Sequence, residues 1–300
     1  MALNSARFFG LASLLSFGLA ACGSPEAVLP DRYSETDQFV SIIKTSIARN
    51  PDLALVNDID HSRLAVEAGS SMGPARVVLF SDVQLETAMI RLNPLVALDL
   101  PMRVLAYESP DDASSKLTYN SFDYISSRYQ LADNTTKDVS AHYRDNIKHV
   151  LAGTPSSALV QLEDNRMQPD GIVTFDSPYD FDKTLEIIYD AIDAQDDTVR
   201  FGAVDFQANA KAIGVDLLPA YLILFGGPAP GGQAMADAPT LGLDAFCQKF
   251  LVWTDPQGIT HLSFNDLLAI ADRQNVHKAI ALRVINKRLS TVFGDALDAD

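Results

Sequence analysis

The sequence predicts an α+β protein made of two tandem domains that arose by duplication, and three observations carry this. Slid against itself by about 145 residues, the stretch 58–108 falls on 203–253, with Asp60 on Asp205, Ala65 on Ala210, Gly69 on Gly214 and Pro74-Ala75 on Pro219-Ala220. Leu79-Phe80 then meets Leu224-Phe225, Pro94 meets Pro239, and Leu98-Asp99 meets Leu243-Asp244. Within each copy, short apolar runs of strand type alternate with segments of helical period, punctuated by Gly and Pro. A length of 300 residues suits two domains of ordinary size, each long enough to bury a core. The boundaries read as a first domain over 31–152, a linker over 153–169, a second domain over 170–294 and an acidic tail over 295–300.

Taken in order, Phe39, Ile42, Ile43 and Ile47 recur at helical spacing, with Ser34 or Thr36 able to cap the helix. A strand over 53–59 leaves the Asn50-Pro51-Asp52 turn, and a short helix over 62–68 stops at Gly69. The compact, β-branched run 76–80 suits a sheet interior. A helix over 85–92 ends before Asn93-Pro94, because the residue ahead of a proline is pushed out of helical geometry. Strands at 103–107 and 116–119 form a hairpin, and helices follow near 122–130 and 137–151. The second copy repeats the order. Strands are expected at 171–175, 201–204, 221–225, 249–253 and 259–262, with helices at 181–192, 264–272 and 276–293. The Gly/Pro-rich stretch 226–232 reads as a tight turn before a short helix.

The first residues stand apart from the fold. One positive charge precedes an apolar run over 8–21, too short for a usual membrane span, so 1–21 reads as a secretory signal peptide. Its end, Leu19-Ala20-Ala21-Cys22, resembles the lipobox of bacterial lipoproteins. The resemblance implies cleavage before Cys22, lipidation of its thiol (diacylglyceryl and palmitate-type acyl chains) and a tether over 22–30. Several acyl chains bury enough methylenes for stable anchoring. Gly23-Ser24 lacks the Asp that retains many such lipoproteins at the inner membrane, so the expected place is the outer membrane, facing the periplasm.

A formal net charge of −16 disfavours nucleic acid and anionic lipid headgroups as partners, since like charges repel. The chain has 2 cysteines; with Cys22 lipidated, Cys247 has no partner for an intramolecular disulfide.

Each candidate site also has a plainer role open to it. Cys247 could serve as a nucleophile or redox group if its pKa were lowered, but a lone Cys in an apolar strand is more often a small buried hydrophobe. Asp60 and Asp205, and Asp99 and Asp244, recur in both copies and could work as acid–base or cation-binding groups, or could cap helices and close turns. His61 beside Asp60 is Phe206 in the second copy. Asp138, His142, Asp145 and His149 form one helical stripe, yet a rise of about 1.5 Å per residue spreads them too far for a single ion. The glycines of 226–232 lack the Gly-Lys-Ser/Thr ending of a phosphate loop. No catalytic residue, metal site or cofactor is assigned.

The repeated pattern is Ile59-Asp60 or Val204-Asp205, then Gly69 or Gly214, then Pro74-Ala75 or Pro219-Ala220 before an apolar strand. It continues through Leu98-Asp99-Leu100-Pro101-Met102 or Leu243-Asp244-Ala245-Phe246-Cys247 into another strand. This resembles the bacterial domain of unknown function 302, in tandem. Members commonly carry Cys at the position of Met102 and Cys247, and an Asn-Pro turn where this chain has Ser81-Asp82 and Gly227-Pro228. The resemblance implies two β-α-β4-α units like those of TATA-binding proteins, antiparallel sheets with helices on one face, and no particular activity. The expected function is that of a non-catalytic envelope module, held to the membrane by acyl chains on Cys22 and binding a small ligand or an envelope protein. Asp60, Asp99, Asp205, Asp244 and Cys247 are its candidate binding residues. The alternatives are a small hydrolase or thiol-dependent enzyme centred on Cys247 or the repeated aspartates, and a purely structural pseudo-dimer.

Overall fold

A computed structural model describes residues 31–131, 136–162 and 171–298. Cys22, the signal peptide and the tether lie outside the described residues. From Arg32 onward the chain forms one compact unit. The first copy runs α1 (Ser34–Arg49), β1 (Ala54–Asp60), α2 (His61–Glu67), β2 (Ala75–Ser81), α3 (Val83–Leu92), a 3-10 segment Pro94–Asp99, β3 (Met102–Glu108), β4 (Ser115–Tyr119), α4 (Phe122–Arg128) and α5 (Lys137–Val150). The second runs β5 (Ile172–Ser177), α6 (Phe181–Asp193), β6 (Val199–Asp205), α7 (Phe206–Ala212), β7 (Ala220–Gly226), α8 (Pro228–Met235), a 3-10 segment Pro239–Gly242, β8 (Gln248–Thr254), β9 (Thr260–Asn265), α9 (Leu267–Arg273) and α10 (Ile280–Leu297).

All strand pairs within the two sheets are antiparallel, ordered β1-β2-β3-β4 and β5-β9-β8-β7-β6. The second sheet is thus the first plus one edge strand, β5. In the first copy the place beside β4 is met instead by the linker: Leu159 forms a parallel bridge with Leu117, and Val160 N–H donates to Leu117 C=O at 2.8 Å.

Helix α1 buries Phe39, Val40, Ile43 and Ile47 against β1–β4. Its expected side-chain cap is absent: Thr36 Oγ1 pairs with Ser115 Oγ at 2.9 Å, and the cap position falls on Tyr33, which makes no side-chain capping bond to the helix. The second copy fills its core with aromatic rings: Phe250 lies 4.5 Å from Phe225 and 4.4 Å from Phe293 between centroids. Helix α9 starts later than the periodicity suggests. Asp266 caps it, and Phe264 and Asn265 complete β9. Helix α10 runs into the expected acidic tail as far as Leu297, whose side chain is buried.

The copies do not pack as separate beads. Strands β3 and β8 are buried on both faces, because each copy's 3-10 segment lies against the other copy's sheet. Helix α2 packs on α8, and its counterpart α7 packs on α3. The Gly/Pro stretch, read from sequence as a tight turn, is itself the first part of α8, with Pro228 supplying the preset φ of a first helical residue. Its glycines admit α2: a methyl group at Gly232 would sit 2.5 Å from the Ala65 methyl. Among the described residues, no helix is long and apolar enough to cross a membrane.

Candidate functional site

The four repeated aspartates divide into two kinds. Asp60 and Asp205 end edge strands and cap the next helix, Asp60 accepting from Arg63 N–H at 2.9 Å and Asp205 from Ala208 N–H at 2.8 Å. Asp60 also takes the Ser62 hydroxyl and the Arg63 guanidinium. Their strand-end position leaves helix N–H groups without intrahelical acceptors, and a short acidic side chain satisfies one of them.

Asp99 and Asp244 cap nothing. Asp99 ends the first 3-10 segment and Asp244 lies two residues beyond the second, and the two meet in the interior, both side chains fully buried. Arg103 bridges them, its Nη2 donating to Asp99 Oδ1 and to Asp244 Oδ1, each at 2.8 Å. Asn120 Nδ2 does the same at 3.1 and 2.8 Å. Arg128 donates through Nη1 to Asp99 Oδ2 (2.9 Å) and through Nη2 across to Asn265 Oδ1 of the other copy (2.7 Å). Its counterpart Arg273 mirrors this, Nη1 reaching Asp244 Oδ2 (2.8 Å) and Nη2 crossing to Asn120 Oδ1 (2.9 Å). Tyr129 OH completes Asp99 at 2.8 Å, and Arg273 stacks on the Tyr124 ring at 3.3 Å. Burial alone would raise the Asp244 carboxyl; Arg103 and Arg273, then Lys249, hold it well below the usual carboxylate range.

This centre is an ionic lock between the copies. Each carboxylate is committed to guanidinium and amide donors in the buried interior. Lys249 occupies the place of Arg103 and donates to the Asp244 carbonyl at 3.1 Å; burial, then the Arg103 charge, pushes its ammonium down to about 8. Arg128, Arg273, Asn120 and Asn265 lie beyond the repeated stretch 58–108 and 203–253. They recur at the same shift as the aspartates, and that was the signal available.

Cys247 is buried beside Phe246, and burial pushes its thiol up to about 12, so it is almost wholly protonated at neutral pH and a poor nucleophile. The strand register corrects its expected equivalence with Met102. Phe80 pairs with Met102 and Phe225 with Gln248, so the second copy carries one extra residue after Asp244 and Cys247 stands opposite Pro101. Both residues follow a cis peptide bond. His61 packs under Gly242, its Nε2 3.2 Å from the Gly242 carbonyl, and burial lowers it to about 4.

The helical stripe serves two unrelated contacts: His142 Nε2 lies 2.8 Å from Asp82 Oδ2, and His149 Nε2 lies 2.9 Å from the Ser46 carbonyl. Near the first, Glu86 is fully buried, takes the Ser81 hydroxyl on one oxygen and leaves Oε1 unpartnered; burial raises its carboxyl to about 8. Among the described residues, no group of three or more His, Cys, Asp or Glu is arranged to hold a metal ion.

A cleft among the described residues has the size of a ligand site. It encloses about 500 Å³ between α5, the end of β4, the start of α4 and the linker. Tyr119, Phe122, Tyr143, Ile147, Leu151 and Leu159 form its apolar walls, with Ser121, Asp123, Arg144, Lys148 and Gln161 as its polar lining. Tyr143 ties it to the ionic lock by donating to the Asn120 carbonyl at 2.8 Å.

Comparison with known proteins gives a family. The chain is 35% identical over 106 residues to fluoride-specific ion channel FluC 1 of Brucella suis, covering 35% of this chain and 41% of that protein. It is equally similar to fluoride-specific ion channel FluC 2 of Brucella melitensis, covering 38% of it, so the match spans less than half the length of these curated relatives. A crystal structure of the uncharacterized conserved protein DUF302 from Bacillus stearothermophilus matches 43% of this chain and 97% of its own, at 15% identity and a TM-score of 0.36. The family model for the domain of unknown function DUF302 matches residues 32–153 and again 173–293. The chain belongs to the DUF302 family and carries two copies of its domain in tandem.

Proposed function

We propose that this chain is a lipid-anchored, non-catalytic binding module of the bacterial envelope, tethered to the outer membrane through Cys22 and facing the periplasm. The observation that carries the binding reading is the division of roles among its polar groups. The acidic residues repeated in both copies are spent on helix caps and on the buried lock, while the cleft over α5 remains apolar, roomy and open to solvent. A volume of about 500 Å³ lies in the usual range for small-molecule sites. The lock favours the pseudo-dimer as the scaffold for that module, since it joins the two similar sheets through buried charges. The Brucella relatives are named as ion channels, and similarity to them fits a module that works beside a bilayer; the described helices give it no span of its own.

Native mass spectrometry of the full chain extracted from its own envelope tests the binding role. The expected result is a retained small molecule that is lost in Leu159→Trp, which fills the cleft. A ligand-free spectrum under gentle extraction would remove the reading. For the anchor, Cys22→Ala should release the protein from membranes, and persistent membrane association of that variant would rule the lipid tether out.

A further inference from the structure

The cleft over α5 has a counterpart in the other copy, and that counterpart shows what it is shaped to hold. Strand register makes Tyr119 the equivalent of Phe264, since Val104 pairs with the one and Phe250 with the other. Beside Phe264 the second copy adds its own edge strand β5, and the Phe175 ring packs on the Phe264 ring at 5.9 Å between centroids. The same ring lies against α10, close enough that a methyl group at Gly294 would meet it at 3.2 Å. The space between sheet edge and long helix is therefore filled by an apolar body in that copy. In the first copy the described part of the linker sets Leu159 and Gln161 against the cleft, and Leu159 remains 38% exposed.

The rim adds a charge. Arg144 is engaged, donating to Asp123 Oδ1 at 2.7 Å and to the Ser140 hydroxyl. Lys148, exposed one turn along the same helix, has no acidic partner among the described residues. An apolar chamber with aromatic walls and one uncommitted ammonium at its mouth matches a single-chain amphiphile with an anionic head. We infer that this cleft binds a fatty carboxylate, its alkyl chain taking the place that Phe175 takes in the second copy and its carboxylate pairing with Lys148. This inference rests on the binding reading above and names its ligand class.

The head group and the chain contribute separately measurable effects. Each methylene buried in the chamber should raise affinity about fourfold until the chamber is full. The Lys148 contact is charge-assisted, and reversing it should weaken binding by about tenfold or more.

The test uses the full chain in its own membranes and a dodecanoate carrying a terminal diazirine. Ultraviolet labelling, mapped by peptide mass spectrometry, should fall on 143–151 and 159–161. Unlabelled dodecanoate should compete, dodecanol about tenfold more weakly because it lacks the carboxylate, and octanoate more weakly still because it buries fewer methylenes. Lys148→Glu should cut labelling about tenfold, and Lys148→Met should give an intermediate loss. Both are surface changes, and unchanged thermal unfolding would confirm that they fold. Leu159→Trp should abolish labelling. Labelling outside the cleft, labelling unaffected by Lys148→Glu, or equal competition by dodecanol would overturn the inference. If dodecanoate fails while the envelope-extracted protein still carries a small molecule displaced by Leu159→Trp, the ligand class is wrong and the binding module stands. If neither is seen, both fall.

Discussion

Replacing Asp244 with Asn is the most direct probe of the ionic lock. The change keeps the shape of the side chain and removes one charge. Asp244 Oδ1 accepts from Arg103 at 2.8 and 3.3 Å and from Asn120 at 2.8 Å, and Oδ2 accepts from Arg273 at 2.8 Å. An amide can keep an oxygen on only one of those two sides; on the other its NH2 faces N–H donors. The remaining centre holds the Arg103, Arg128 and Arg273 guanidiniums and the Lys249 ammonium against the single carboxylate of Asp99. Breaking a buried ion pair from one side costs about 3–5 kcal/mol, because the abandoned charge stays buried. At about 2–4 °C per kcal/mol for a unit of this size, Tm should fall by roughly 10 °C.

Urea unfolding of wild type, Asp244→Asn, Arg273→Met and the double variant measures the effect, and the cycle isolates the pair. Coupling of at least about 1 kcal/mol is expected. The pH dependence supplies an independent check. The Asp244 carboxyl is lower in the folded state than in the unfolded chain, so its contribution is complete above the ordinary carboxylate pKa of about 4 and is lost as pH falls below it. The gap between wild type and Asp244→Asn should therefore narrow below about pH 4. A loss under about 1 kcal/mol with an unchanged acid limb would show that the lock does not hold the copies together.

Glu86 gives the opposite slope. Its carboxyl is raised to about 8 when folded, so wild-type stability should decline between about pH 4.5 and 8 and level off above; Glu86→Gln should flatten that decline and be the more stable protein at pH 9. Urea midpoints at pH 5 and pH 9 measure this, and parallel curves would refute it. Lys249, pushed down to about 8, charges more readily unfolded than folded, so stability should rise between about pH 8 and 10.5, and Lys249→Met should gain on the order of 1–3 kcal/mol at pH 7. Calorimetric Tm values of the two proteins at pH 7 decide it, a lower Tm in Lys249→Met being the contrary result. Cys247 should react with a soluble maleimide only at the rate of global opening, so that labelling in increasing urea tracks unfolding; fast stoichiometric labelling of the native protein would contradict its burial.

What the sequence made legible was local. The shift that lays Asp60 on Asp205 and Gly69 on Gly214 located β1, α2, β2 and their counterparts, because caps, helix stops and apolar runs are written in neighbouring residues. Capping was the right physical reading for Asp60 and Asp205 and the wrong one for Asp99 and Asp244. The two pairs look alike in one dimension. What separates them is a set of donors shared across the copies: Arg103 and Asn120 of the first copy each reach both Asp99 and Asp244. Such contacts are set by how two sheets oppose each other, and no local pattern records that. The extra residue after Asp244 was invisible for the same reason, since Leu-Pro-Met and Ala-Phe-Cys align as strings and only the ladder Phe225–Gln248 shows the slip. The α8 start failed differently: Gly and Pro read as a turn by composition, while Gly232 is there to let Ala65 approach.

Arg103 has a consequence for how the domain can be used as a single copy. It spans both central carboxylates, and Lys249, its counterpart, turns aside to a backbone carbonyl. Two identical chains of the first-copy type, related by a true axis, would bring two such arginines to compete for one pair of acceptors. One would lose its bonds and remain charged in the interior. Joining the copies on one chain frees each half to carry a different residue at this point, so the duplication permits a centre that strict identity forbids.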